Sequence, residues 1–397
     1  MSGGYDVPHG ATKRAAESSV DAECSSRAWS YWPDFEDLSN ELARLLGAAQ
    51  EGGSTVSECL LTASRIDPQD EDNWYREWKK TADASRERGD TAFRGGHVLT
   101  AQSNWLRAVN YYQAAAYPFD AADNRLQGVL ARMRSCAHHY LEQLTPAAEV
   151  VDIPWLDDYS LQGYLLPAPA PAGLVPVVIC IGEPGSRKEE YLYKTARYAR
   201  DRGMAMLAVD LLGSGTGAQF EKVAGRSDLE TAIGSVVDYL LARGDVDERR
   251  IAILGDGAGS SFVARGVALD RRVAAAVCDG GIWDLHERAF LMQRVASLHC
   301  GVAAMSRRSS IARYIKCPVL VTLGEHGWLE KDHVTMLFEQ IRDHHRDIQL
   351  KIFQRSETAA AQGHSDNPTL ANEYIFDWIA DRLAADARHR LGRRTQA

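Results

Sequence analysis

The chain has two regions that differ in the spacing of their hydrophobic residues, and the first region extends from Phe35 to Leu144. In this stretch apolar residues recur at three- and four-residue spacing, interrupted only by Gly- and Pro-containing clusters such as EGGS and AAYPFDAAD. Such spacing places apolar side chains on one face of a helix. The pattern predicts an all-helical segment of about 110 residues.

The second region begins near residue 148 and is typical of strands. Two alternating runs separated by DDYS come first, followed by the continuous apolar run Val175–Ile181, which is typical of a parallel strand covered on both faces. Strand-like and helix-like runs then alternate; the strands are MAMLAVDL, IAILGD, VAAAVCDG, PVLVTLGE and IQLKIFQ. This order predicts an α/β fold with a doubly wound, mostly parallel sheet. Ligands of such sheets bind at the carboxyl ends of the strands.

Three segments follow from these patterns. Residues 1–30 are rich in Gly, Ser, Ala and charge without periodicity, which predicts a flexible leader. Residues 31–147 form the predicted helical domain, and residues 148–390 form the predicted α/β domain.

Composition excludes several classes of function. The 397 residues are 45% hydrophobic and 25% charged with a net charge of -9, and no basic stripe alternates with aromatic residues, so nucleic acid is not an expected partner. No apolar run reaches 18 residues and the first residues hold no signal sequence, so we expect a cytoplasmic protein without membrane contact. The seven cysteines form no metal-ligand or disulfide pattern, and neither a metal nor an organic cofactor is expected.

The stretch RRIAILGDGAGSSFVARGVA predicts a buried strand, a sharp glycine-rich turn and a helix. Gly255 and Gly259 stand two residues before and after Gly257. Small residues at those two places let a strained turn pack against the neighbouring helix and strand.

With this turn, the run WYREWKKTADASRERGDTAFRGGHVLTAQSNWLRAVNYYQAA and the run VPVVICIGEPGSRKEEYLYKTARYARDRGMAMLAVDLLGSGTG resemble the FrsA-like group of α/β-hydrolase-fold proteins. That group includes the pseudooxynicotine carbon-carbon hydrolase and the fungal polyketide-shortening hydrolases, and the resemblance extends over about residues 70–385. It implies a helical lid domain over an α/β-hydrolase catalytic domain, a small-molecule substrate, a homodimer, and a serine, an acid and a histidine in that chain order.

The place of the nucleophilic serine holds Gly257, which has no side chain to form a covalent intermediate. Three alternatives remain open. A register slip of one residue presents Asp256 as nucleophile, or Ser260 or Ser261 just inside the helix takes the role, or no covalent nucleophile is used. The spacing favours the last.

The histidine and the acid are expected after the last two strands. His364 precedes an amphipathic helix, within the sequence GHSD, at the position of the family's catalytic base. The family's usual place for the acid holds Gly327, so Glu325, Glu330 or Asp332 could substitute, and Glu325 is nearest the strand end.

The loop after the third strand is also altered. Gly182 begins the oxyanion region, to which we also assign Gly255, Gly257 and Ala258 of the turn. Glu183 and Pro184 follow Gly182; proline offers no N–H, whereas Glu183 in a dry pocket can serve as a general acid or base.

Four further residues are expected to contact the substrate. Asp279 and Trp283 lie at and beyond another strand end, and Tyr111 and Tyr112 lie in the helices of the expected lid.

The leading hypothesis is a serine-independent enzyme of natural-product metabolism. His364 is its base and Asp256 or Glu183 its second acid-base group, acting on a ketone- or polyketide-like molecule by elimination, cyclisation or carbon-carbon bond cleavage. The alternatives are a true hydrolase using Asp256 or a water activated by His364, and a non-catalytic binding protein. The sequence leaves open the substrate, whether the reaction is hydrolytic, which carboxylate partners His364, and the oligomeric state.

Overall fold

The computed structural model describes residues 30–119, 123–157, 159–170, 173–182, 186–211, 230–257, 259–281, 314–326, 331–343, 345 and 347–394. The predicted leader and the loop positions Glu183, Ala258, Trp283, Gly327 and Glu330 therefore lie outside the described residues.

The first half of the described chain is helical, as its apolar spacing predicts. The helices are α1 Glu36–Gly47, α2 Val56–Ala63, α3 Glu71–Arg94, α4 Val98–Ala116 and α5 Asn124–Glu142. Helix α3 begins after Asp70, whose carboxylate accepts a hydrogen bond from the Asn73 amide at 3.1 Å and so satisfies one free N–H of the first turn. Trp74 and Trp78, four residues apart, bury one face of this helix.

Eight strands form one sheet in the order β1-β2-β4-β3-β5-β6-β7-β8. The strands are β1 Glu149–Leu156, β2 Tyr159–Leu166, β3 Val175–Ile181, β4 Ala205–Val209, β5 Val246–Asp256, β6 Ala275–Asp279, β7 Val319–Gly324 and β8 Ile348–Phe353. Strands β1, β2 and β4 pair antiparallel, and the other pairs are parallel. The carboxyl ends of β3–β8 therefore lie at one edge.

Helices cover both faces of this sheet. They are α6 Tyr191–Lys194, α7 Ala196–Asp201, α8 Thr231–Leu241, α9 Gly259–Leu269, α10 Lys331–Arg342 and α11 Pro368–Arg394, with short 3-10 turns at Lys188–Glu190 and Gln362–His364. The side chains of β3 are buried at five successive positions, which explains its unbroken apolar sequence.

The two faces of the sheet bury separate hydrophobic clusters. One contains α8 and α9, and the other contains α6, α7 and α11 together with the core of α1–α5. The helical segment therefore packs on one side of the α/β part and shares its core. The predicted α/β fold with an N-terminal helical region is confirmed, whereas the domain boundaries at residues 30, 147 and 390 stay predictions.

In the described part of the chain, no helix combines the length and the apolar character needed to cross a membrane.

Candidate active site

The turn between β5 and α9 has the geometry that its glycines predict. Gly257 has φ 56°, a left-handed conformation that favours glycine, and its amide donates to the Asp279 carbonyl at 2.7 Å. A methyl group at Gly255 would lie 2.7–2.8 Å from backbone atoms of Gly259 and Ser260. One at Gly259 would lie 2.8 Å from the carbonyl oxygens of Ile181 and Gly182. The turn therefore packs directly on the end of β3.

The two serines that follow the turn do not face the strand ends as free hydroxyls. Ser260 is fully buried, and its Oγ lies 3.1 Å from the Gly255 carbonyl oxygen and 3.0 Å from the Asp279 carbonyl oxygen. Ser261 is 1% exposed. Ser260 therefore closes the turn, and no side-chain oxygen stands at Gly257.

A lysine-aspartate ion pair lies beside this turn. Asp256 is the last residue of β5, and Lys194 is the last residue of α6. The Lys194 ammonium donates to Asp256 Oδ2, and the two side chains keep 22% and 16% of their surface exposed. Burial lowers the pKa of Lys194, but the carboxylates of Asp256 and Asp279 together outweigh it and hold the pKa well above its ordinary value. Lys194 is therefore a fixed cation.

His364 and Asp279 form a second, more deeply buried pair. His364 Nε2 lies 2.8 Å from Asp279 Oδ1, which also accepts a hydrogen bond from Thr322 Oγ1 at 2.8 Å. Asp279 ends β6, and β7 places Thr322 directly opposite it in register. His364 is 3% exposed and Asp279 7%.

Both ring nitrogens of His364 face acceptors. Nδ1 lies 2.6 Å from the Ala359 carbonyl oxygen, and Nε2 faces Asp279. Burial lowers the pKa of His364, but the charge and hydrogen bond of Asp279 and the Ala359 carbonyl outweigh it and raise the pKa. Burial raises the pKa of Asp279, but His364 and Lys194 outweigh it and lower that pKa. The arrangement fits an imidazolium that donates from both nitrogens, which differs from the free base that the sequence predicts.

The loop that carries His364 has a strained backbone. Thr358, Ala359 and His364 have positive φ angles of 68°, 57° and 57° although none is glycine. The Asp366 carboxylate accepts hydrogen bonds from the amides of Ala360 and Ala361, both at 3.0 Å. The aspartate of the GHSD sequence therefore holds the loop in the conformation that places His364 against Asp279.

The predicted acid, Glu325, lies elsewhere. Its carboxylate accepts hydrogen bonds from Lys331 Nζ at 2.7 Å and from the Arg355 amide at 2.9 Å. The hydrogen bond from Lys331 is the main cause that lowers its pKa. Asp279, expected only to contact substrate, is instead the carboxylate that faces His364. The end of β7 also contacts the histidine loop, but there Glu325 is bonded to Lys331 and Arg355.

Tyr111 and Tyr112 are not at the strand ends. Both are fully buried within the helical segment, where the Tyr111 hydroxyl bonds to Glu58 at 2.8 Å and the Tyr112 hydroxyl bonds to Asp83 at 2.5 Å. Their apolar spacing reflects helix packing, so they offer no surface to a substrate here. Gly182 does adjoin the turn: its carbonyl oxygen would lie 2.8 Å from a methyl group added at Gly259.

Two residues of this arrangement, Lys194 and Thr322, are not among the site residues predicted from the sequence. A signal for Lys194 does exist, because an aspartate at the end of an otherwise apolar strand, as at Asp256, needs a cation when it is half-buried. Thr322 could be found only from the register of β6 and β7.

Solved structures share this fold. The 2,6-dihydroxy-pseudo-oxynicotine hydrolase matches with a TM-score of 0.68 and 23% identity over 86% of this chain and 96% of its own. The protein AbyA5 matches with a TM-score of 0.62 and 16% identity over 85% and 93%. At these identities the likeness establishes the α/β-hydrolase fold alone.

The chain belongs to the FrsA-like family: the family model described as "Esterase FrsA-like" matches residues 64–310, more than half of the chain. It is 32% identical over 256 residues to the alpha/beta hydrolase xenA of Xenoacremonium sinensis, covering 62% of this chain and 60% of that protein. It is also 32% identical over 258 residues to the 20-hydroxy-prefusarin hydrolase of Gibberella moniliformis, covering 62% and 61%. The chain thus spans about three fifths of these relatives' lengths. Their names agree with the prediction of an α/β-hydrolase-fold enzyme.

Proposed function

We propose that the protein is an α/β-hydrolase-fold enzyme that works without a serine nucleophile and transfers protons at the ends of β5 and β6. One observation carries the proposal: the turn keeps its nucleophile-elbow geometry around Gly257, while the polar groups beside it are two ion pairs. The apex offers no oxygen for a covalent intermediate, and Ser260 is committed to backbone carbonyls.

Asp256 is the proposed base. Its Oδ2 is occupied by Lys194, but no described residue donates to its Oδ1, and the side chain is partly exposed. A carboxylate there can take the proton on the carbon next to a carbonyl group. The C–H electron pair then forms the carbon-carbon double bond of an enolate, and the carbonyl π electrons move to oxygen. Collapse of the enolate expels a leaving group from the β carbon, which departs with the proton carried by Asp256.

His364 and Asp279 support this chemistry as a buried charge pair. An imidazolium bonded to Ala359 and Asp279 fixes the histidine loop beside the ends of β6 and β7. The two charges compensate each other and are largely shielded from water, so the pair positions the loop and adds no net charge to the site.

The substrate class is a multifunctional, carbonyl-bearing small molecule of natural-product metabolism, ketone- or polyketide-like. Support comes from the name of a similar protein, the 20-hydroxy-prefusarin hydrolase of Gibberella moniliformis. Carboxylate bases suit such substrates, since a hydrogen between two carbonyl groups is acidic enough for a modest base.

A panel of 1,3-diketones, β-hydroxy ketones and 4-nitrophenyl acetate tests the proposal. We expect the wild-type protein to exchange α hydrogens for deuterium or to eliminate water from panel ketones, followed by proton NMR in deuterated buffer. Asp256→Asn keeps the size of the side chain but removes the base, so its rate is expected to fall about 10²- to 10⁴-fold. A fluorophosphonate serine probe should leave the wild-type protein unlabelled.

Ser260→Ala is the matched control, because it removes a buried hydroxyl that faces backbone carbonyls; its rate should stay far above that of Asp256→Asn. Turnover that survives in Asp256→Asn, or fluorophosphonate labelling of Ser260 or Ser261 with loss of activity, would contradict the proposal. An ester trapped on Asp256 by rapid-quench mass spectrometry would establish the hydrolase alternative instead. Binding without turnover would support the non-catalytic one.

A further inference from the structure

Lys194 has hydrogen-bonding capacity that the described residues do not use. Its ammonium carries three hydrogens. Among the described residues, only Asp256 accepts a hydrogen bond from it, and 22% of the side chain remains exposed. Two of its donors therefore meet no acceptor among the described residues at the carboxyl edge of the sheet, beside the turn at Gly257.

Three carboxylates surround the ammonium and keep it charged. Asp256 is bonded to it, and Asp279 and Glu190 lie close enough to stabilise its charge. Glu190 also lies near Arg44 of helix α1. With its pKa raised by these neighbours, Lys194 is not a neutral amine, so it does not attack a carbonyl carbon to form a Schiff base. It remains a hydrogen-bond donor with a full positive charge.

One hydrogen bond joins the Lys194 ammonium to Oδ2 of Asp256. The other hydrogens of Lys194 and the Oδ1 atom of Asp256 are therefore close to each other. A donor and an acceptor placed so close together match the carbonyl oxygen and the α hydrogen of one substrate, which are separated by only a few bonds. The loop after β3 contains Glu183 and Pro184 in sequence, and proline has no N–H to stabilise an oxyanion. A cationic donor beside the turn can supply the stabilisation that a backbone amide would otherwise give to an oxyanion.

We propose that Lys194 is a catalytic residue that donates a hydrogen bond to the substrate carbonyl and stabilises the enolate oxygen formed when Asp256 removes the α proton. This inference rests on the proposed function and names its electrophilic group. The proton passes from carbon to Asp256, the negative charge moves to the substrate oxygen, and Lys194 keeps all of its own hydrogens. The ligand class is therefore a carbonyl compound that is bound more tightly as its enolate.

Binding of 4-nitrophenol tests this inference without any turnover, because its phenolate resembles an enolate and absorbs visible light. We expect the wild-type protein to bind the phenolate and lower the apparent pKa of the phenol, measured by absorbance across a pH series. Lys194→Met should bind the phenolate about tenfold to a hundredfold more weakly, whereas Lys194→Arg should retain most of the affinity. Lys80→Met, which removes an exposed lysine of α3, is the matched control and should bind like wild type.

Asp256→Asn gives the sharpest contrast. It removes the base, yet it also removes a negative charge beside Lys194, so the phenolate should bind more tightly than to wild type while turnover is lost.

For a panel substrate, Lys194→Met should lower kcat about 10²- to 10³-fold, with Lys194→Arg recovering part of the rate.

Equal phenolate affinity in wild type and Lys194→Met, or weaker binding in Asp256→Asn, would overturn the role of Lys194. The double variant Lys194→Met with Asp256→Asn removes both charges together and leaves no unpaired buried group, so it should fold and still bind the phenolate weakly. If Asp256→Asn keeps its turnover while Lys194→Met no longer binds the phenolate, the role of Asp256 as base is contradicted, but the role of Lys194 in binding an oxyanion is supported.

Discussion

At the scale of single residues, the turn at Gly257 differs from a nucleophile elbow because charged side chains, and no serine hydroxyl, lie beside it. Gly257 brings no functional group, but its neighbour Asp256 and the facing Asp279 each end a strand and each meet one cation. Partly buried carboxylates persist only when paired. The two cations come from separate elements, α6 and the histidine loop, so both elements must be in place for the strand ends to hold their charges.

The His364–Asp279 pair makes stability depend on pH in two directions. The pKa of His364 is raised, so its contribution is complete below its ordinary value of about 6.5 and disappears as pH rises through the folded value. The pKa of Asp279 is lowered, so its contribution is complete above about 3.9 and disappears as pH falls through the folded value. The pair therefore stabilises the fold most between about pH 4 and 6.5.

The reference is the double variant His364→Gln with Asp279→Asn, a neutral pair of similar shape. We expect the excess free energy of unfolding of wild type over this variant to be largest in that window. This excess free energy should decrease at lower and at higher pH, by about 1.4 kcal/mol for each unit by which folding shifts the pKa. Urea unfolding at a series of pH values measures it, and an excess that does not change between pH 6 and 9 would contradict the charged pair.

Residue patterns predicted part of this site and could not predict the rest. The glycine spacing identified the turn at Gly257, and the position of His364 after the last strand identified the histidine. The acid was expected at Glu325 because chain order points to β7. Which carboxylate faces the histidine depends on how β6, β7 and a loop with left-handed residues meet in space, and no local pattern contains that information.

At the scale of elements, the β5–α9 turn is fixed by close backbone packing. The sequence predicts the strand, the turn and the helix because the spacing of apolar residues and the positions of the glycines both place the turn at Gly257. Helix α9 approaches the end of β3 so closely that no side chain fits at Gly259, and Gly255 has backbone atoms on the other side. The turn can shift only if the strands shift with it.

Gly255→Ala should lower the free energy of unfolding by about 1–3 kcal/mol, because its methyl group meets backbone that has no room to move. Gly128→Ala is the matched control. Gly128 lies on the exposed side of α5 with no atom within 4 Å of the added methyl, so this change should raise stability by about 0.5–1 kcal/mol. Urea unfolding measures both, and an unchanged midpoint for Gly255→Ala would contradict the tight packing.

At the scale of the whole molecule, the helical segment and the α/β part share buried contacts. One hydrophobic cluster contains Trp78 of the helical segment and Val178 of β3. Glu51, after α1, accepts hydrogen bonds from Tyr198 and from Thr369, the latter at 3.0 Å. Gly47 and Gly53 pack against Ser365 and Tyr193, next to the residues of the two ion pairs. The helical segment therefore contacts both elements that carry the cations, and its role as a lid stays a prediction. The homodimer and the cytoplasmic location stay predictions.

The shared cluster predicts that both parts unfold together. Hydrogen exchange followed by mass spectrometry should give the slowest amides of α4 and β3 the same opening free energy, and both should fall together as urea is added. Slow amides of α4 that open at clearly lower urea than those of β3 would instead indicate a helical segment that unfolds independently.

Asp256, Asp279 and Thr322 occupy neighbouring positions across three adjacent parallel strands. Successive residues of a strand point to opposite sides of a sheet. A deletion or insertion of one residue within β6 would therefore turn Asp279 away from the histidine loop without disturbing the apolar character of the strand. A one-residue insertion or deletion in this short strand should therefore damage activity far more than a conservative change of one of its aliphatic side chains.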